Sequence, residues 1–384
     1  MKRIIAIIPI AFSACVAASS VFGTEKGDVA ERRVGTVPSE IGALSLTRIV
    51  SGLHHPWSFA FLPDGDFLVT ERRGNLLRVG NGRVTRVSGV PEVAAGGQGG
   101  LLDIALGPDF ARRGTVFLTY SAGDQSARGT AVARARLDGT NLGDLRVIWE
   151  MSKKTGAGQH FGSRIAVLPD ATLLFSVGDR GSAERAQDLS DEAGKIHRVN
   201  ADGSIPRDNP FATTPGALPS VYSYGHRNVQ GLAVDPSGGT VWATEHGPQG
   251  GDELNLILPG KNYGWPVVTY GRHYGSGAAI GEGVSKRGIE GPLLQWTPSI
   301  APSGLVLHSG TGVPAWKGSL FSGNLAGQRL VRLTVDTRRA VSVETLLSGA
   351  VGRIRDVREG PDGAVYLLTD SADGALYRLA PSSP

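Results

Sequence analysis

From Leu46 to Ala380 the chain keeps returning to one pattern of apolar and polar positions. An alternating apolar segment runs into a Pro-Asp-Gly-like turn. A second alternating segment follows, commonly ending in Thr or Ser beside Glu or Asp, and a third begins after a glycine. The first copy is residues 58–62, Pro63-Asp64-Gly65, 67–71 and 74–79. The second covers 102–106, 107–110, 116–120 and 131–137; the third covers 164–168, Pro169-Asp170-Ala171, 173–179 and 195–199. The fourth covers 229–234, 235–238, 241–245 and 253–258; the fifth, 304–307, 319–323 and 329–335; the sixth, 356–358, 360–363, 365–370 and 375–379.

Short alternating stretches bounded by Gly, Pro and Asp predict strands. Copies recurring every roughly 45 to 75 residues predict a radial array of similar sheets carrying insertions. Closing such a ring protects the sheet edges. The expected fold is all-β, a six-bladed β-propeller of four-stranded antiparallel blades over residues 45–381. A β-sandwich with coincidental turns is the alternative, and the recurrences weigh against it. Loops from every blade surround the axis of a propeller, so chemistry is expected in loops richer than a turn requires.

Composition supports this reading. The 55 glycines and 22 prolines are spread along all 384 residues, which suits many tight turns and not a helical bundle. The N-terminus resembles an export signal: Lys2 and Arg3, then an apolar run over 4–18, then small residues at 17–20. Residues 1–23 are therefore expected to be cleaved and the protein to be periplasmic or secreted. Residues 24–44 are polar and mixed, expected to be a loose lead-in. The one cysteine, Cys15, lies in the signal, where a lipid anchor is the lesser alternative. A mature chain without cysteine would bind metal through oxygen or imidazole. Net charge of +4 falls to +2 without Lys2 and Arg3, too little to suggest a nucleic-acid partner. No later segment is apolar enough to span a membrane.

Five loops carry candidate chemistry. Residues 246–255, followed by 261–266, gather carboxylates, carbonyls and glycines that suit a hard cation such as calcium; an acidic surface turn has the same composition. His160 precedes one strand and Asp179 follows its antiparallel neighbour, so the two ends can meet, and a carboxylate that fixes the tautomer of a histidine prepares a general base. A merely structural or solvated histidine is the alternative. Arg227, Asn228 and Gln230 offer a fan of donors. Gly96-Gly97-Gln98-Gly99-Gly100 lets backbone approach a ligand closely. Arg353 and Arg355 share one strand face; blade-to-blade salt bridges would explain them equally. The set suits a polyanionic, carbonyl-rich cofactor, and the chain shows no serine elbow, phosphate loop or dinucleotide fingerprint.

The combination resembles the soluble quinoprotein glucose/aldose sugar dehydrogenase family. The strings that carry the resemblance are His55-Pro56-Trp57, Gly97-Gln98-Gly99-Gly100-Leu101, His160-Phe161-Gly162-Ser163-Arg164 and Gly178-Asp179-Arg180-Gly181. They continue with residues 225–231, 245–248, 251–255, 262–266, 301–304 and 352–356. The resemblance implies a six-bladed propeller that oxidises aldoses with pyrroloquinoline quinone (PQQ) and calcium. It implies His160 as the base toward the anomeric hydroxyl, Asp179 orienting it, and Arg227 stabilising charge on the quinone oxygen. Gln98, Arg227, Asn228, Gln230, Arg353 and Arg355 would hold the cofactor. Carbonyls of Gly247 and Pro248 would bind the calcium beside it. Glu253 and the carbonyl of Tyr263, with Asp252 assisting, would hold a second calcium. Residues 323–328 lack the lysine that some members place on the cofactor, and the chain is compact, so broad aldose use is expected rather than strict glucose specificity. The partners implied are a small aldose and an electron acceptor that sequence does not identify; oligomeric state is not carried over. A calcium-dependent lactone hydrolase and a non-catalytic sugar- or protein-binding propeller are the competing functions.

Overall fold

The computed structural model describes residues 27–336 and 339–382; the expected signal, Cys15 and the first residues of the lead-in lie outside them. Six antiparallel sheets follow one another along the chain. The first blade is Pro56–Phe61, Phe67–Glu71, Asn75–Gly80 and Arg83–Val87. The second is Leu101–Leu106, Thr115–Gly123, Arg128–Asp138 and Asn141–Glu150. The third is Ile165–Val167, Leu173–Val177, Lys195–Val199 and Val221–Tyr224, and the fourth Val229–Val234, Val241–Glu245, Asp252–Ile257 and Leu294–Trp296. The fifth is Pro302–Leu307, Ser319–Asn324, Leu330–Asp336 and Arg339–Leu346. The six-bladed propeller read from the repeat is the fold observed.

Local chemistry shapes each blade. In the first turn of four blades an aspartate accepts the backbone N–H two residues on: Asp64 from Asp66 at 3.2 Å, Asp170 from Thr172 at 2.9 Å, Asp235 from Ser237 at 2.9 Å and Asp362 from Ala364 at 3.2 Å. This Asx geometry is why the Pro-Asp-Gly-like signal recurs. Second strands are buried along nearly their whole length because each faces two neighbours: Leu68 packs toward the second blade and Val69 toward the sixth. Six apolar clusters fill the six gaps between blades. The fourth strands escaped the sequence pattern because they lie outermost; Asn141–Glu150 buries only Leu142.

The lead-in is not loose where it is described. Strand β1 (Asp28–Ser39) pairs with β2 (Gly42–Leu53), and β2 pairs antiparallel with Gly374–Pro381. The sixth blade, Ile354–Glu359, Val365–Thr369 and Gly374–Pro381, is thus completed by the N-terminal part of the chain. Residues 28–39 show weak alternation because β1 is a fifth, outer strand with no buried side chain. Among the described residues no helix is long and apolar enough to cross a membrane.

Candidate active site

The connections that leave second strands and enter first strands gather around one end of the axis and enclose two adjoining cavities. The inner one, about 170 Å³, is lined by Trp57, Arg72, Gln98, Asn228, Gln230, Arg353, Arg355 and Asp370 among others. The outer, about 560 Å³, is lined by His160, Arg227, Gly247, Pro248, Arg272 and Tyr274. Gln98, His246 and Ala301 line both. A larger cavity of about 910 Å³ between the first two blades is lined by arginines, of which Arg78 pairs with Asp64 and Arg136 with Asp144, and by no histidine; size alone does not mark the chemistry.

His160 enters its strand with φ at 55° and its backbone N–H donates to Gln98 Oε1 at 2.8 Å. A positive φ in a non-glycine residue is uncommon and points to a conformation imposed by its surroundings. The ring Nδ1 lies 2.6 Å from Asp179 Oδ1. Burial opposes ionisation of Asp179, but the hydrogen bond and charge of His160, with the Gly181 N–H and Arg227, hold its carboxyl below the usual range. An ionised carboxylate only accepts, so Nδ1 carries a proton, and in a neutral ring Nε2 is the acceptor. The backbones are tied too: Asp179 N–H donates to Arg227 O at 2.9 Å.

Arg227 Nη1 donates to the carbonyls of His246 at 3.1 Å and Gly247 at 2.8 Å. Asn228 Oδ1 accepts from Gly162 N–H at 3.1 Å, and Gln230 Nε2 donates to Gly162 O at 3.1 Å. Arg355 reaches Gln230 Oε1 at 3.1 Å and Asp370 at 2.9 Å, and Arg353 reaches Asp370 at 3.3 Å. The buried Nε of Arg355 has no partner among the described residues. An inner cavity with three arginines, three amides and one carboxylate, floored by Trp57, Leu102 and Phe161, suits a flat, polyanionic group.

The residues read as cation ligands divide. The Gly247 carbonyl takes the Arg227 bond and the Pro248 carbonyl takes Tyr274 O–H at 2.8 Å; each keeps a second lone pair. Glu253 and Tyr263 line a tight space of about 10 Å³ with Glu245 and Gly247. Burial, then the neighbouring Glu245 carboxylate, pushes the Glu253 carboxyl upward. One Asn255 amide bridges the two acids at 3.0 Å each, and its own Oδ1 is buried without a partner among the described residues. A divalent cation beside Glu253 would offset that crowding of acceptors, so the donor set fits one. Asp252 does not line this space. Its carboxylate accepts from Gly247 N–H at 2.9 Å, Ser299 Oγ at 2.6 Å, Ile300 N–H at 2.7 Å and Ala301 N–H at 2.7 Å. In this geometry Asp252 ties the glycine loop to the next blade. Among the described residues, no three His, Cys, Asp or Glu side chains cluster as a metal site, so a cation here would have to rely on backbone carbonyls besides Glu253.

Sequence reasoning gave no role to Trp57, Arg72, His246, Trp265 or Asp370, although Trp57, His246 and Trp265 lie in the strings quoted above. His246 Nε2 bonds the Pro302 carbonyl at 2.8 Å, and burial, then Arg227, lowers its pKa to about 3, leaving a neutral ring between the cavities. Asp370 was legible in one respect. It directly follows a second strand, where Glu71 and Glu245 close theirs and Asp179 lies two residues past its own.

Residues 53–378 match the Glucose / Sorbosone dehydrogenase family. The chain is 41% identical over 337 residues to aldose sugar dehydrogenase YliI of Escherichia coli (strain K12), covering 86% of this chain and 91% of that protein. It is 26% identical over 408 residues to quinoprotein glucose dehydrogenase B of Acinetobacter calcoaceticus, covering 84% and 85%. The solved PQQ-bound form of aldose sugar dehydrogenase from Streptomyces coelicolor matches with a TM-score of 0.72 at 32% identity, covering 92% of this chain and 99% of that one. With likeness in sequence running from the entry of the first blade to the last strand of the sixth, the chain belongs to the glucose/sorbosone dehydrogenase family.

Proposed function

We propose that this protein oxidises aldose sugars at the anomeric carbon to the corresponding lactones, with PQQ as oxidant and calcium beside it. The observation that supports this best is the shared basin: the His160–Asp179 pair and Arg227 face the outer cavity, while an arginine- and amide-lined cavity adjoins it. Gln98, Asn228, Gln230, Arg353 and Arg355 would hold the quinone, and the carbonyls of Gly247 and Pro248 the calcium. When bound, the quinone supplies a two-electron acceptor for the hydride leaving C1, and the calcium a Lewis acid.

The protein's own part is proton handling and charge. Nε2 of His160 takes the anomeric hydroxyl proton as the C1–H bond breaks and the C=O bond forms. Asp179 keeps the proton on Nδ1 and stabilises the imidazolium. Arg227 brings positive charge to the oxygen on which negative charge grows. Export by the N-terminal signal would put this chemistry outside the cytoplasm.

Purified apoprotein supplied with PQQ and calcium should reduce an artificial dye with several aldoses. His160→Ala should retain the cofactor and lose turnover by about two orders of magnitude or more. Lactone hydrolysis without dye reduction would replace this reading with the hydrolase, and full turnover in His160→Ala would remove the assigned base.

A further inference from the structure

Trp265 joins the two working parts of the basin. Its Nε1–H donates to Asp179 Oδ2 at 2.8 Å. Oδ1 of the same carboxylate takes His160 Nδ1 at 2.6 Å and Gly181 N–H at 2.7 Å. On its face, the indole lies 5.5 Å from the Arg227 guanidinium carbon. Without the indole donor, Oδ2 would have no hydrogen-bond partner among the described residues, and the carboxylate could turn about Cβ–Cγ and tilt the imidazole. The indole is itself held. Its backbone N–H donates to Gly225 O at 2.9 Å, its carbonyl takes Gln187 Nε2 at 2.7 Å, and Gln187 exchanges bonds of 3.0 and 2.8 Å with Asn262. Trp316, by contrast, is fully buried in an apolar cluster with its Nε1–H unpartnered among the described residues. Trp265 is half-buried and turns its one donor onto a carboxylate.

We propose that Trp265 is a positioning residue. It fixes the Asp179 carboxylate so that His160 keeps its proton on Nδ1 and presents Nε2 to the sugar, and it keeps Arg227 over the same pocket. This rests on the reading of His160 as the base.

Two replacements isolate the N–H: Trp265→Phe, and benzothienylalanine at 265, which keeps the bicyclic shape with sulfur in place of N–H. In PQQ- and calcium-loaded enzyme, both should lower kcat for an aldose about ten-fold, with KM within about two-fold. Nitrogen-15 NMR of the cofactor-free protein should show the His160 ring moving from one tautomer toward a mixture. Unchanged kcat and tautomer in either folded variant would overturn the proposal, as would a raised KM with kcat intact. Wild-type enzyme that oxidises no aldose would overturn the proposed function instead, and the tautomer measurement, made without cofactor, would still decide the role of Trp265.

Discussion

At the mouth of the inner cavity one carboxylate meets Arg355 at 2.9 Å, Arg353 at 3.3 Å and His55 at 3.4 Å. Burial alone would raise the Asp370 carboxyl, but Arg355, then Arg353, hold it well below the usual range. A carboxylate depressed in the folded state stabilises the protein above its unfolded pKa, and that contribution fades as pH falls through the folded value. Asp370→Asn should therefore cost about 3 kcal/mol at neutral pH, because it leaves Arg355 buried and short of its partner. The gap between variant and wild type in denaturant melts should narrow as pH drops below about 3.8, the ordinary value for this group. A gap that stays constant in acid would show that the ion pair is not its source.

Among the elements, a carboxylate at or just past the end of a second strand recurs as a device. Glu71 accepts the N–H of His54 at 2.6 Å, Asp179 holds His160, Glu245 accepts the N–H of Arg227 at 2.8 Å, and Asp370 holds Arg355. Each pins the segment that enters the first strand of its own blade. In the third blade the pinned residue is a histidine lining the outer cavity, the one proposed above as the base. The two N-terminal strands differ in weight. β1 buries nothing fully, whereas β2 buries Leu44, Leu46, Val50 and Leu53 and closes the ring. Deleting the chain through Ser39 should shift Tm by no more than about 5 °C. Deleting it through Leu53 should abolish the cooperative melt. Calorimetry of the two truncations distinguishes them, and equal losses would contradict this division.

For the whole molecule, the axis is closed by charge. Arg164 lies 2.8 Å from Asp356 and 3.4 Å from Asp103, and Arg358 lies 2.8 Å from Asp103 and 3.0 Å from Asp356. Ser58 Oγ adds a 2.5 Å bond to Asp103. Four blades meet in this knot, which lies directly behind the inner cavity: the Arg164 guanidinium stacks 4.3 Å from the Trp57 ring that lines it. Beyond the knot, a space of about 390 Å³ is walled by first strands of all six blades, mostly with aliphatic and aromatic side chains but also with Arg358 and Glu359. Asp356→Leu should destabilise the protein by about 3 to 5 kcal/mol, since two arginines then share one buried acid. Adding Arg164→Met restores the charge balance, so the double variant should lose much less than the two single losses combined, with a coupling above about 1 kcal/mol. Additive losses in chemical denaturation would mean that the knot does not act as a unit.

The strands and turns were legible because their causes are local: alternation of period two, an aspartate bonding the N–H two residues on, glycine where the chain must reverse. Repetition of that local pattern gave the number of blades, and the strings around His160, Arg227 and Arg355 indicated the family. Local periodicity carries no information about closure. It could not show that Leu44 pairs with Pro381, that Arg355 meets Gln230 across 125 residues, or that Trp265 meets Asp179 across 86. Nor could it separate Glu253, crowded against Glu245, from Asp252, already saturated by Gly247 and the segment 299–301 that leads into the next blade. Those distinctions depend on which polar atoms remain without partners once the ring has closed, and burial in the assembled fold alone determines them.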